Sequence, residues 1–220
     1  MMTSGHRGPG SQAPDPIKKF VELDEKVDKI LTTMGVEHSE AYTRAARKVL
    51  QDDDGKIDMD RLKDEGKQEA FVDEMVDHYL TSAKKILGVK EGGPSKDDPL
   101  GVDMLLHAAH GYTKSDLMQQ VRMRQHNYSL GQHEGIRNEL LQDVEKRLRS
   151  SAASHLKDSH REGLVQYAKA TDFIDHTKMR LPEAVHIARQ YRVKGAIAPK
   201  EYDTQVFYKK EEGHGGGGHH

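Results

Sequence analysis

Histidine and carboxylate side chains spaced by one helical turn are the first residues of this chain that could do chemistry. The sequence contains 14 histidines. His107 and His110 are three residues apart, which places both imidazoles on one face of a helix, as in many metal sites. Gly111 follows and favours another interpretation, in which both histidines lie in the last helical turn and complement the helix dipole without a metal.

A second metal-like spacing is Glu183 and His186, which form the Glu-x-x-His pattern of two-metal sites in helical bundles. Such sites need two copies of the pattern and two further carboxylates on other helices. The chain supplies one copy, directly after Pro182, where glutamate is an ordinary residue of a first helical turn. We therefore predict no metal ligand here.

Catalytic sequence motifs are missing from the chain. It contains no Gly-rich phosphate loop, no Gly-x-Ser-x-Gly turn and no His-Glu-x-x-His helix. It also contains no cysteine, which excludes disulfides, thiolate metal sites and a cysteine nucleophile. We expect no catalytic residue and no cofactor. A metal-dependent helical enzyme, with a site assembled only in three dimensions, is the third of three candidate functions.

The stretch QDDDGKIDMDRL, residues 51–62, combines carboxylates with a glycine in the manner of a calcium loop. The middle positions of the calcium-binding pattern are all present: Asp52, Asp54, Gly55, Ile57 and Asp58. Residues 50–61 thus resemble the loop of the EF-hand family. The first position holds Leu50, however, and the twelfth holds Arg61, where the family has a bidentate glutamate.

An arginine at the twelfth position puts a cation where the main metal ligand belongs, so the resemblance does not extend to calcium binding. The alternative is an Asp/Gly turn between two helices, in which Asp58 or Asp60 caps the helix that follows. We expect this turn and no effect of calcium.

The composition indicates an ordered helical protein with a thin core. Hydrophobic residues make up 35% of the 220 residues, and the net charge is only -2. Residues 1–110 carry 22 acidic and 16 basic side chains, a net charge of -6, and residues 111–220 carry a net charge of +4. An acidic front and a basic back attract each other within one molecule or between copies.

The periodicity of the apolar residues predicts an all-α fold, because they recur at intervals of three and four. Helices are expected over the following ranges: 17–33, 39–51, 59–87, 100–110, 114–128, 133–169 and 182–193. The Gly/Pro-rich segment 89–99 predicts a linker between two helical subdomains, 16–88 and 100–195. We expect a disordered N-terminus over 1–15, and an extended arm with a Gly/His-rich tail over 196–220.

The arm carries a dense aromatic patch in a chain that is only 5% aromatic. Its members Tyr202, Val206, Phe207 and Tyr208 are the predicted partner-binding residues. The expected function is a non-enzymatic interaction or scaffold subunit of an intracellular assembly, which binds a protein partner or a second copy of itself. Thin cores leave little margin of stability, and burial against a partner adds to it.

Nucleic-acid association through the basic second half is the alternative function. Residues 121–128, VRMRQHNY, form a small basic patch with one aromatic side chain that would touch phosphates. A net charge of +4 over half a chain is weak for such a role. No apolar run approaches the roughly 20 residues of a membrane span, and the first 16 residues do not form a secretory signal. We expect an intracellular, cytoplasmic protein without a membrane span.

Overall fold

A computed structural model of the chain describes residues 15–89, 101–124, 133–172 and 178–193. Six α-helices occupy most of these ranges: α1 (Asp15–Val49), α2 (Glu65–Leu87), α3 (Val102–Arg124), α4 (His133–Ser154), α5 (Asp158–Asp172) and α6 (Leu181–Val193). A short 3₁₀ helix (Met59–Lys63) precedes α2. The described residues form no strand, so the predicted all-α fold is confirmed.

The described helices belong to two compact units. The larger unit comprises residues 24–152, and the smaller unit comprises residues up to 23 together with those from 153 onward. The predicted linker, residues 89–99, and the predicted arm and tail, 196–220, lie almost entirely outside the described residues. The predicted subdomain boundaries therefore stay a prediction.

In the larger unit, α1 and α2 pack antiparallel. Tyr42 meets Phe71 edge to face, with ring centroids 5.8 Å apart, and His38 stacks on Tyr79 at 6.0 Å. Residue numbers that rise along α1 therefore meet numbers that fall along α2. The buried His38 also shares a hydrogen bond through Nδ1 with the Tyr79 hydroxyl, which places a polar pair inside this contact.

Helices α3 and α4 complete an antiparallel four-helix arrangement with α1 and α2. Lys114 of α3 lies 2.9 Å from Asp73 of α2, and Arg147 of α4 forms an ion pair with Asp116 of α3. Leu141 of α4 packs against α1 near Gly35. The unit's largest fully buried side chains are apolar with one tyrosine: Ile30, Met34, Leu50, Leu62, Phe71, Met75, Tyr79, Leu105 and Leu117.

Two predicted helix breaks are wrong, because α1 and α3 each continue through a glycine. Gly35 lies in the middle of α1, where a Cβ atom would stand 3.3 Å from Cδ1 of Leu141. Gly111 lies in the middle of α3 and has nothing within 4 Å of its Cβ position. A glycine inside a helix costs about 1 kcal/mol relative to alanine, and the packing of a long helix exceeds that cost.

The single helix predicted over 133–169 is also wrong, because α4 ends at Ser154 and α5 begins at Asp158. Between them Leu156 is buried, and its carbonyl accepts a hydrogen bond from Nε of Arg161 at 2.9 Å. This bond satisfies a backbone acceptor in the connection between the two helices.

The smaller unit is built mainly from α5 and α6, which pack against each other. Its buried side chains are Phe20, Leu23, Leu156, Leu164, Tyr167, Ala168, Met179, Ala184, Val185 and Ala188. The guanidinium of Arg189 lies 6.0 Å from the centre of the Phe20 ring. Among the described residues of this unit, the largest fully buried side chains are Leu23 and Tyr167.

Candidate interaction surface on helix α1

The outer face of α1 in the larger unit is polar except at its centre. Exposed side chains recur along it at intervals of three and four, because the opposite face is buried in the bundle. We call this row the α1 stripe; it consists of Glu25, Lys29, Thr32, Val36, Glu40, Thr43 and Arg47. Val36 is 74% exposed and is the one apolar side chain of the stripe.

A shallow groove of about 250 Å³ lies beside Val36. Six residues of α1 and one of α2 line it: Asp28, Lys29, Thr32, Thr33, Val36, Glu37 and Ile86. Ile86 is 57% exposed. Five large apolar side chains are exposed in the described part of the chain, and Val36 and Ile86 are two of them. Both line the same groove.

Three polar side chains of the groove, Glu37, Thr33 and Asp28, already have partners. Glu37 Oε2 lies 2.8 Å from Nε2 of His78, and the hydroxyl of Thr33 donates to the carbonyl of Lys29 at 2.7 Å. Asp28 Oδ1 lies 2.5 Å from Nη2 of Arg149. The contacts of Glu37 and Asp28 join α1 to α2 and α4, and that of Thr33 lies within α1. These groups are engaged, so the groove offers a ligand mainly apolar contact.

The position of α1 in the bundle is fixed by an arginine of α4. Arg149, with a side chain only 14% exposed, pairs with Asp24 at 2.7 Å, with Asp28 and with Glu145. Burial by itself lowers the pKa of the guanidinium, but the hydrogen bonds to Asp28 and Glu145 and the charge of Asp24 raise it above its ordinary value. The arginine therefore stays charged and holds the first part of the α1 stripe in place.

A second arginine of α4 holds α3. Arg147 pairs with Asp116, donates to the carbonyl of Tyr112 at 3.1 Å, and stacks over the Tyr112 ring at 4.7 Å from its centroid. Burial raises the pKa of Asp116, and the neighbouring Arg147 opposes that rise. Both arginines of α4 thus act as ties between helices.

The calcium-like loop is a capped turn. Asp52 Oδ1 accepts hydrogen bonds from the backbone N–H groups of Asp54 and Lys56, and Gly55 has a φ of 79°. Nη1 of Arg61 donates to the carbonyl of Gln51 at 2.9 Å. The guanidinium therefore closes the loop from the position where an EF-hand would have its main metal ligand.

The interpretation of this loop as a turn with an aspartate cap is confirmed. Asp58 is the N-cap of the 3₁₀ helix, and its side chain accepts from the N–H of Asp60. The longer helix α2 has its own N-cap in Asp64, which accepts from the N–H of Lys67. Both cap carboxylates are thus engaged by backbone N–H groups.

In the part of the chain that the structure describes, the candidate metal-binding residues are not joined by further ligands. His107 and His110 are exposed within α3 and not in its last turn, because that helix continues to Arg124. Glu183 accepts a hydrogen bond from the N–H of Arg180 at 2.9 Å, as a first-turn residue does. Among the described residues, no group of three or more His, Asp or Glu side chains is arranged to hold a metal ion.

The predicted partner-binding residues Tyr202, Val206, Phe207 and Tyr208 lie outside the described residues, so that prediction stays open. Of the basic patch 121–128, the structure describes the first part. Val121 is buried, Arg122 is exposed and lies 3.6 Å from Glu65, and Met123 is 65% exposed. This is the pattern of a solvated helix face with an embedded apolar side chain.

Comparison with known proteins gives no relative: no family model, curated protein or solved structure matches this chain. Within the described ranges, no helix has the length and apolar character needed to cross a membrane. The α1 stripe and its groove thus define the candidate site on structural grounds alone. Sequence reasoning missed this surface because Val36 fell within a predicted break between two helices.

Proposed function

We propose that this protein is a non-enzymatic helical interaction subunit of an intracellular protein assembly, with the α1 stripe and its groove as a protein-binding surface. The observation that carries this proposal is the exposure of Val36 and Ile86 at one groove. Burying apolar surface of this kind contributes roughly 25 cal/mol per Å². A protein partner that covers both side chains gains this contribution without disturbing the bundle.

The ion pairs of the larger unit support a binding role. Arg149, Arg147 and His78 all engage carboxylates of other helices. A surface on a rigid helix loses less conformational entropy on binding than one on a flexible loop. These pairs hold the helices in fixed positions and therefore keep the binding surface preorganised.

Capture of partners from the source cells tests the proposal. The tagged full-length protein is compared with Val36→Asp and with Met104→Asp, a matched change at another exposed apolar residue, which is 54% exposed on α3. We expect at least one protein, the chain itself included, to be lost from Val36→Asp and retained by Met104→Asp and after nuclease treatment. The same set of captured proteins in all three samples would contradict the proposed surface.

The predicted aromatic arm is tested separately. Deletion of residues 199–210 removes Tyr202, Val206, Phe207 and Tyr208 together and should abolish a partner association while leaving the helical circular dichroism nearly unchanged. The nucleic-acid alternative is tested by retention on heparin or DNA at increasing salt, because phosphate contacts weaken steeply with ionic strength. Retention that ignores ionic strength would argue against it.

A further inference from the structure

The α1 stripe is symmetric about Val36. Glu25 and Arg47 each lie 11 residues from Val36, which is just over three helical turns and roughly 16 Å along the axis on either side. Eleven residues at 100° each return to within about 20° of the starting direction. Glu25, Val36 and Arg47 therefore point the same way, and all three are exposed.

The intermediate residues of the stripe repeat this symmetry. Lys29 and Thr43 lie seven residues from Val36, on opposite sides, and Thr32 and Glu40 lie four residues from it. Lys29, Thr32, Glu40 and Arg47 are exposed, and Thr43 is partly exposed. Any helix row with this spacing mirrors itself about its middle residue, so a twofold axis through Val36 would set each position of the stripe against its mirror position on the other copy.

The two ends of the stripe carry opposite charges, so two antiparallel copies bring opposite charges together. The N-terminal end carries Glu25, and the C-terminal end carries Arg47. When two copies of α1 lie antiparallel with Val36 against Val36, Glu25 of each copy faces the partner's Arg47. Lys29 of each copy then lies about one turn from both Glu40 and Arg47 of the partner, and Glu40 also pairs with Arg44 of its own copy at 2.9 Å, so the favourable contact is that of Glu25 with Arg47. In a parallel pair the same residues would face their own kind, and like charges repel.

Glu25 and Arg47 are available for such contacts. Neither forms an ion pair with any side chain in the ranges that the structure describes. Helical partners of opposite charge select each other in this way at the edges of coiled coils.

We infer that the partner of the α1 stripe is a second copy of this chain, bound through antiparallel α1 helices about a twofold axis at Val36. This inference rests on the proposed function and names the partner of its surface. The groove beside Val36 accommodates the partner's Val36, which then lies against Ile86 as well. Each copy thus covers the exposed apolar pair of the other.

The dimer is held by few apolar side chains and by exposed charges, which determines its behaviour. Stable dimers bury about 800 Å² per partner, largely apolar at the centre. An interface centred on Val36 and Ile86 depends more on its charge pairs, and salt screens exposed charges over about 10 Å at 0.1 M. The dimer should therefore dissociate as the protein is diluted or the salt is raised.

Complementary charge reversals test the inference. The variants Glu25→Arg and Arg47→Glu, in the full-length chain, are studied by sedimentation velocity at low salt, alone and mixed in equal amounts. Each variant alone places like charges opposite each other at both ends of the interface, so its dimer should be at least tenfold weaker than that of the wild type. In the mixture every reversed pair is attractive, so a heterodimer should form.

Central and control variants complete the experiment. Val36→Asp places two carboxylates at the twofold axis and should leave only monomer, whereas Met104→Asp should dimerise as the wild type does. Circular dichroism of each variant verifies that it is folded.

Two results would overturn the inference. One is a wild type that stays monomeric at low salt and high concentration, and the other is a mixture that dimerises no better than its components. If the wild type is monomeric and Val36→Asp still abolishes the capture of a different protein, the second-copy partner is overturned and the proposed function stands.

Discussion

Arg149 of α4 and Asp24 of α1 form an ion pair at 2.7 Å in which the aspartate is only 2% exposed and the arginine 14%. Removing one member of such a pair leaves a buried charge without its counter-ion, which costs several kcal/mol. Pairs between exposed side chains contribute between zero and about 1 kcal/mol. The difference in burial therefore decides which ion pairs stabilise this protein.

Arg149→Ala should lower the free energy of unfolding by about 3 kcal/mol, because it removes the cation that the buried Asp24 shares with Asp28. The measurement is urea denaturation followed by circular dichroism. Lys63→Ala is the matched control, since Lys63 pairs with Asp60 at 3.2 Å on the open surface, and it should change the free energy by less than about 0.5 kcal/mol. Equal losses in the two variants would show that burial does not govern these pairs.

The two mid-helix glycines should respond differently to alanine. Gly111→Ala should stabilise the protein by about 0.5–1 kcal/mol, because alanine is the better helix former and its Cβ meets open space. Gly35→Ala should gain less, because its Cβ stands 3.3 Å from Leu141 and that side chain must shift. Thermal denaturation of both variants gives the comparison, and a larger gain at Gly35 would contradict the close packing of α1 on α4.

The loop between α1 and α2 should depend on Arg61 and not on calcium. Arg61→Ala removes the hydrogen bond to the carbonyl of Gln51 and should cost about 1 kcal/mol of unfolding free energy. Lys56→Ala, at an exposed lysine of the same loop, is the control. Millimolar calcium should leave the circular dichroism and the thermal midpoint of the wild type unchanged. A shift in either would mean that the loop binds the ion despite its arginine.

Tyr42 predicts a specific response to alkaline pH. Burial raises the pKa of its hydroxyl, so the folded protein keeps this proton at pH values where the unfolded chain loses it. Stability from this group is complete below about pH 10, the pKa of a free tyrosine. It is lost as pH rises through the higher pKa of the folded state.

The Tyr42→Phe variant isolates this effect. Its free energy of unfolding should fall less than that of the wild type as the pH is raised above about 10, because phenylalanine cannot ionise. The difference between the tyrosinate absorbance titrations of the two proteins reports Tyr42 directly. A difference curve centred at or below pH 10 would refute the burial of this hydroxyl.

Local chemistry was readable from the sequence wherever neighbouring residues determine it. The period of three and four predicted the all-α fold, and the aspartates around Gly55 predicted the capped turn. That Leu50 and Arg61 exclude calcium stays a prediction. No helix-breaking residue marked the end of α4, because residues 155–157 contain neither glycine nor proline. That break coincides with the burial of Leu156, which depends on tertiary packing, and with a local hydrogen bond from Arg161 to the Leu156 carbonyl.

The sequence by itself determined the helical class and the capped turn, because periodicity and N-caps act over a few residues. Only the tertiary structure decided that α1 continues through Gly35, since packing on α4 overrides the modest cost of a glycine. That continuity brings Glu25, Val36 and Arg47 onto one line. The α1 stripe is therefore a product of the tertiary structure, because packing in the bundle keeps α1 helical through Gly35.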